Sequence, residues 1–161
     1  MEGFESFAFG GVQLCWKGSD FVWGLGFWRG KLYIVYFCFV IMWHIDRLDV
    51  YKRICLLVPS VYSLIGVLPQ EEKFELGSQL RRAVVSIKSN MKEGSGKRTS
   101  KAFIAYLDNA MGSLREVKAQ IEIGIDLGYF DNNGKRIVDE CWRLERMLVA
   151  YIDYVKRKDV K

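Results

Sequence analysis

Histidine is nearly absent from this chain: His44 is the only one in 161 residues. A metal site draws on several His, Cys or clustered carboxylates, and none cluster here. His44 sits at a boundary rather than in a patterned core, so Ser/His/Asp and Cys/His nucleophilic sites lack a base. Cysteine is sparse as well. Cys15, Cys38, Cys55 and Cys141 form no CxxC pair, which speaks against a disulfide framework and fits a reducing cytoplasm. No Walker loop or GxGxxG opens a helix. Helix-turn-helix spacing, RRM aromatics and zinc fingers are missing too, so no base-reading code is visible. The expectation is a protein without enzymatic activity, metal or cofactor. Long apolar runs are also lacking. The run "LYIVYFCFVIMW" at 32–43 has 12 residues, against the roughly 20 that a membrane-spanning helix needs.

What is present divides into two unlike parts, 1–43 and 44–161. The first holds 13 of the 23 aromatics, seven glycines and no net charge. It has no basic start and no cleavage site of a signal peptide. Three readings fit it: a membrane anchor, a β-rich or partly ordered appendage, or a misassigned start with Met42 as the true first residue. The third is favoured, because the regular pattern begins only after Met42. The whole excess charge of +5 also lies there, as 21 basic against 16 acidic residues. With half the residues hydrophobic, a chain of this length can bury one core, and a pI of about 9.0 favours an acidic partner.

From about residue 46 the period is helical. A third helix carries Phe103, Leu107, Ala110, Leu114, Val117 and Ile121 at spacings of four and three. A fourth repeats the beat with Ile137, Cys141, Leu144, Leu148, Tyr151 and Val155. The second is read as Phe74, Leu76, Leu80, Val84, Ile87 and Met91. The first is read as Leu48, Tyr51, Cys55, Val58, Tyr62 and Ile65, with Pro59 expected to kink it. Cys55 and Cys141 thus count as small core residues. Short breaks at 66–70, 94–100 and 128–134 separate the helices. Thr99 or Ser100 is expected to cap the third, Gly128 to stop it, and Asn132 or Asn133 to cap the fourth. Long helices with short connections run antiparallel to their neighbours, so the fold class is all-α, an up-down-up-down four-helix bundle.

The stretch Ser78-Gln79-Leu80-Arg81-Arg82, then Ser86-Ile87, Ser89-Asn90 and Glu93-Gly94, leads through a basic turn to Phe103, Leu107, Ala110, Gly112-Ser113-Leu114 and Glu116. This pattern, with "LDVYKR" at 48–53, resembles the four-helix bundle proteins encoded in intervening sequences of bacterial large-subunit ribosomal RNA genes. That family includes the accessory variability determinants of diversity-generating retroelements. The likeness covers about 45–158. Lys88 stands where the family usually has proline, and Lys92 where it has alanine. Residues 1–43 have no counterpart. The resemblance implies a ring-like homopentamer with a basic surface and no catalysis, a suspected nucleic-acid binder that works with a reverse transcriptase in the retroelement branch.

The residues add their own case. On a helical wheel, Arg81, Lys88 and Lys92 flank one side of the second helix, and Gln79, Ser86, Asn90 and Glu93 flank the other. A solvated face would favour Glu, Lys and Gln, because Ser and Asn have poorer helix propensity. The small polar stripe therefore reads as a tight helix–helix or subunit contact. Ala105, Gly112 and Ala119 recur every seven residues opposite the third helix's core stripe, a second packing face that argues for a homo-oligomer.

In this topology the turn between the second and third helices meets the chain's C-terminal tail. That end gathers Lys92, Lys97, Arg98 and Lys101 with Lys156, Arg157, Lys158 and Lys161, diluted by Asp46, Asp49, Glu93 and Asp159. Cations near helix C-termini complement the dipole, but Lys101 lies at an N-terminus, where an anion would be welcome. The expected function is sequence-nonspecific binding of RNA, DNA or hybrid through backbone and shape. The candidate contacts are Arg81, Lys88, Lys92, Lys97, Arg98, Lys101, Lys156, Arg157 and Lys158. A protein scaffold whose charge only aids solubility, or a membrane-tethered bundle, are the alternatives.

Overall fold

The structure is a computed structural model and describes residues 5–9, 12–17, 20–21 and 45–159. Cys38, the apolar run at 32–43, Met42, His44 and Lys161 lie outside the described residues. The chain divides into two units, the first ending at Phe39. In the first, β1 (Glu5–Phe9), β2 (Val12–Lys17) and β3 (Asp20–Phe21) form an antiparallel sheet in the order β1-β2-β3. The register sets Phe7 opposite Leu14 and Trp16 opposite Phe21.

The second unit is helical. A 3-10 turn at Ile45–Arg47 leads into α1 (Asp49–Gly66), α2 (Gln70–Phe74), α3 (Leu76–Ser95), α4 (Ser100–Asp126) and α5 (Asn132–Asp159). The four long helices form a bundle in which α1 and α4 each pack against both α3 and α5. All six predicted core residues of α4 are buried, as are Leu80, Val84, Ile87 and Met91 of α3 and Cys141, Leu144, Leu148 and Val155 of α5. Burial pushes the Cys141 thiol up to about 12, which keeps it protonated and inert. Among the described residues, no helix is long and apolar enough to cross a membrane.

Four sequence readings need correction. The core face of α1 is Val50, Tyr51, Ile54, Leu57, Val61, Leu64 and Ile65, so of the predicted stripe Tyr51 and Ile65 are buried, Leu48, Cys55 and Val58 lie at the margin and Tyr62 is outside. Residues 54–58 are all apolar, so several faces carry a helical period and only packing chooses. Leu56 is left 69% exposed, and Tyr62 is exposed as well. Second, Pro59 does not interrupt α1, which continues through it as one helix with the proline on the solvent side. Third, Phe74 is 70% exposed. Glu75, at φ −90° and ψ −90°, breaks the helix there and makes α2 a separate turn out of phase with α3. Fourth, the cap of α5 comes from Asp131, whose Oδ1 accepts from the Asn133 amide at 2.9 Å, and not from Asn132 or Asn133.

The α4–α5 turn follows from two glycines. Gly128 takes φ +76°, a left-handed conformation that side chains disfavour. The amides of Gly128 and Tyr129 then donate to Ile125 and Gly124 carbonyls at 2.9 and 2.8 Å. This folds Phe130 back onto Gly124, where any Cβ would overlap its ring. Gly124→Ala is therefore expected to cost about 1–3 kcal/mol in urea unfolding, because the ring must move. Gly66→Ala meets nothing within 4 Å and should change stability by less than about 1 kcal/mol. Equal effects of the two substitutions would show that the Phe130 contact does not hold the turn.

Candidate nucleic-acid interface

The α3–α4 turn is built on a close approach. A Cβ on Gly94 would come within 2.6 Å of Tyr106 Cβ and 3.0 Å of the Phe103 ring, so only glycine lets α4 start this near the end of α3. The turn closes its own backbone. Gly96 and Lys97 amides donate to Glu93 and Gly94 carbonyls, and the buried Ser95 hydroxyl donates to the Lys92 carbonyl at 2.7 Å. Thr99 caps α4 as predicted, accepting from the Ala102 amide at 3.2 Å.

Two of the predicted cations here are already engaged. Lys92 Nζ donates to both carboxylate oxygens of Asp46 at 2.9 and 2.8 Å, and the hydrogen bond to Asp46 raises its pKa. Lys97 Nζ reaches Glu93 Oε1 at 3.2 Å and lies 4.5 Å from the Tyr106 ring centroid. Tyr106 Oη donates to the same Glu93 oxygen at 2.6 Å. That hydrogen bond, followed by the one from Lys97, holds the Glu93 carboxyl below its ordinary range. Arg98 and Lys101 remain exposed, and the first turn of α4 contains no acid.

The α5 tail arrives at the same end through Tyr151, whose ring meets Phe103 edge-on at 6.1 Å and stacks on Tyr154. Lys156, Arg157 and Lys158 follow on the exposed surface. Arg157 Nε bonds the Asp153 carbonyl at 3.2 Å, and Lys158 lies 5.1 Å from the Tyr154 ring. Arg81 and Lys88 are elsewhere. Arg81 Nη2 donates to the Lys73 carbonyl at 2.8 Å, tying α3 to the end of α2, and Lys88 is exposed midway along α3.

The small polar residues of α3 face α4 of the same chain. Ser86 and Ser113 hydroxyls lie 2.9 Å apart, and Asn90 Nδ2 donates to the Ser86 carbonyl and hydroxyl. Gln120 Nε2 donates to Gln79 Oε1 at 3.3 Å and to Glu116 Oε1 at 3.1 Å. Gln120 Oε1 is buried without a donor among the described residues. Swapping the two amide atoms would set oxygen against oxygen, so the arrangement is the better of two imperfect ones. Ala105, Gly112 and Ala119 are all exposed on α4, and a Cβ on Gly112 would meet nothing within 4 Å. The sequence reasoning missed Tyr106 as an organiser of the turn. The Glu93/Lys97 spacing of four was a readable signal of the ion pair. Among the described residues, no group of three or more His, Cys, Asp or Glu is placed to hold a metal.

The fold is thus a four-helix bundle with one end rich in cations. Residues 46–150 match the 23S rRNA-intervening sequence protein family, and the chain belongs to it. No curated protein matches the chain. The fold is similar to the crystal structure of a protein with unknown function from the S23 ribosomal protein family of Bacteroides thetaiotaomicron. That match has a TM-score of 0.60 and 20% identity, covering 64% of this chain and 97% of the other.

The pKa shift of Glu93 has a sign that can be tested. Its folded-state value lies below the ordinary 4.5, so the hold on Tyr106 and Lys97 is complete above pH 4.5 and is lost as pH falls through the lower folded value. Tyr106 ring shifts in NMR should stay flat from neutral pH down to about 5 and move only at more acid pH. A transition centred above 4.5 would contradict the contact.

Proposed function

We infer that this protein binds nucleic acid without acting on it chemically, through phosphate contacts at the end where the α3–α4 turn meets the tail of α5. The observation that carries the reading is the position of Arg98 and Lys101. They are exposed, lie outside the core, and stand at the start of α4, whose first turn carries no acid. Cations at a helix N-terminus oppose the helix dipole, and a phosphate there relieves the conflict. Contacts of this kind do not distinguish RNA, DNA or hybrid by sequence.

Assembly belongs to the same reading. The exposed line Ala105, Gly112 and Ala119 suits the close approach of a second copy, and a homopentamer would repeat the basic end around an axis. A role as adaptor for a reverse transcriptase follows from the sequence resemblance alone. One observation favours a protein scaffold instead: Lys92 and Lys97 are paired with Asp46 and Glu93, which lowers the net charge of the end.

Replacing Lys97, Arg98 and Lys101 with glutamine should weaken binding to unrelated sequences alike. It should also flatten the log–log salt dependence by about 0.7–0.9 for each phosphate that is no longer neutralised. Glu93→Gln should act the other way and tighten binding, because it frees Lys97. If the parent binds RNA, DNA and hybrid duplexes at low salt but neither variant differs from it, the site is elsewhere. If the parent binds none of them, the scaffold reading takes over. Separately, Gly112→Leu should lower the assembled mass in light scattering while leaving helical circular dichroism intact, and an unchanged mass would place the subunit contact on another face.

A further inference from the structure

The exposed face of α5 differs from that of α4 in charge. Along α4 the exposed charges are Lys101 and Arg115 against Asp108, Glu116, Glu122 and Asp126. Along α5, Lys135, Arg136, Arg143, Arg146, Lys156, Arg157 and Lys158 outnumber Asp139 and Asp153. On a wheel at 100° per residue six of these cations, all but Lys158, fall within about 120° of Trp142, on the side opposite Leu144 and Leu148, with Asp139 and Asp153 among them. They form a stripe along the bundle rather than a cluster at its end.

Trp142 lies within this stripe and is 49% exposed. Its indole is braced from one side. Lys118 Nζ, on a side chain only 14% exposed, sits 3.4 Å from the ring centroid. Lys118 is held in turn by Glu145 Oε2 at 3.3 Å, and Arg115 Nε holds the other oxygen of Glu145 at 2.6 Å. The ammonium covers one face of the ring, which leaves the edge and the opposite face as the parts a ligand could meet. Beside it, Arg146 is exposed, and Arg143 commits one nitrogen to Glu140 and keeps its other donors. A fixed, half-open aromatic ring beside arginines is the combination that holds an unpaired nucleotide, with the base on the ring and the phosphate on the guanidinium.

We propose that the outer face of α5 is a binding track for single-stranded nucleic acid, with Trp142 stacking a base, Arg143 and Arg146 contacting the adjacent phosphates, and Lys118 positioning the ring. The proposal rests on the nucleic-acid reading above but uses different residues and selects a strand state. A duplex keeps its bases stacked on one another and offers none to the indole, so only a single strand gains from Trp142. The stripe runs from Lys135 to Arg157, about 33 Å along the helix, and an extended strand can follow it.

The test uses the full chain and labelled probes of about 20 nucleotides, oligo(dT), oligo(U) and a duplex, in anisotropy titrations at one low salt concentration. Trp142→Leu keeps an apolar cover over Lys118 but has no stacking face. It should weaken both single strands roughly 5- to 150-fold and change the duplex less than about twofold, while Trp142→Phe should restore most of the loss. Arg143→Gln with Arg146→Gln should weaken all three probes. Unchanged single-strand affinity in Trp142→Leu, or an equal loss on the duplex, overturns the proposal. A second readout needs no apolar-for-aromatic change. Oligo(dT) should quench tryptophan emission in the parent and not in Trp142→Phe, and equal quenching in both also overturns it. If glutamines at 97, 98 and 101 abolish single-strand binding and Trp142→Leu does not, this proposal fails and the basic end survives. The reverse result keeps the track and discards the end. A parent that binds no probe removes both.

Discussion

The missing side chain of Gly94 is the constraint from which the candidate end is built. Because nothing projects there, Phe103 and Tyr106 close onto the last turn of α3, and the reversal of direction takes only four residues, 96–99. Tyr106 is then near enough to donate to Glu93, and Phe103 near enough to receive the edge of Tyr151 from α5. Three helices are thereby tied at one point. A larger residue at 94 would act far beyond its immediate neighbours, since the Glu93–Lys97–Tyr106 arrangement and the seating of the α5 tail both depend on that gap.

Charge at this end is less than a count of lysines suggests. The two lysines nearest the turn each have a carboxylate and an aromatic ring within reach, and exposed pairs of this kind contribute little to stability. Their effect is on availability. Lys92 and Lys97 must exchange a carboxylate for a phosphate, whereas Arg98 and Lys101 have no such partner to give up among the described ion pairs. The side of the bundle is organised differently. There a partly buried ion pair supports an indole from beneath, so the same elements (cation, carboxylate, aromatic ring) occupy one site as an internal balance and the other as a brace.

The four-helix architecture was legible because α3, α4 and α5 each carry one apolar stripe against polar flanks. Leu107, Leu114 and Ile121 could not face any other way without exposing a line of large side chains. The α1 face was not legible, because an apolar run around Ile54–Val58 satisfies several periods and the partner helices decide which one is buried. Phe74 was misread for a related reason: its spacing from Leu80 extends the α3 stripe only if the helix is continuous, and the break lies in the backbone of Glu75. The polar seam of Ser86, Asn90 and Gln79 was readable as a helix contact from residue type alone. That α4 of the same chain fills it required the fold. Trp142 gave no signal in one dimension, since its brace, Lys118, comes from another helix.

Each end of α4 is closed by an aromatic side chain against a glycine, Tyr106 on Gly94 at the start and Phe130 on Gly124 at the finish. The first contact fixes α4 axially against α3, because a shift of one residue would set a Cβ where Tyr106 must lie, and the second fixes where the chain turns out of α4. The helix is thus a strut of fixed length, 27 residues or about 40 Å. The bundle resembles a measuring rod with both marks engraved. The Glu93–Lys97–Tyr106 turn at one end and the Phe130 turn at the other are thereby held at one spacing.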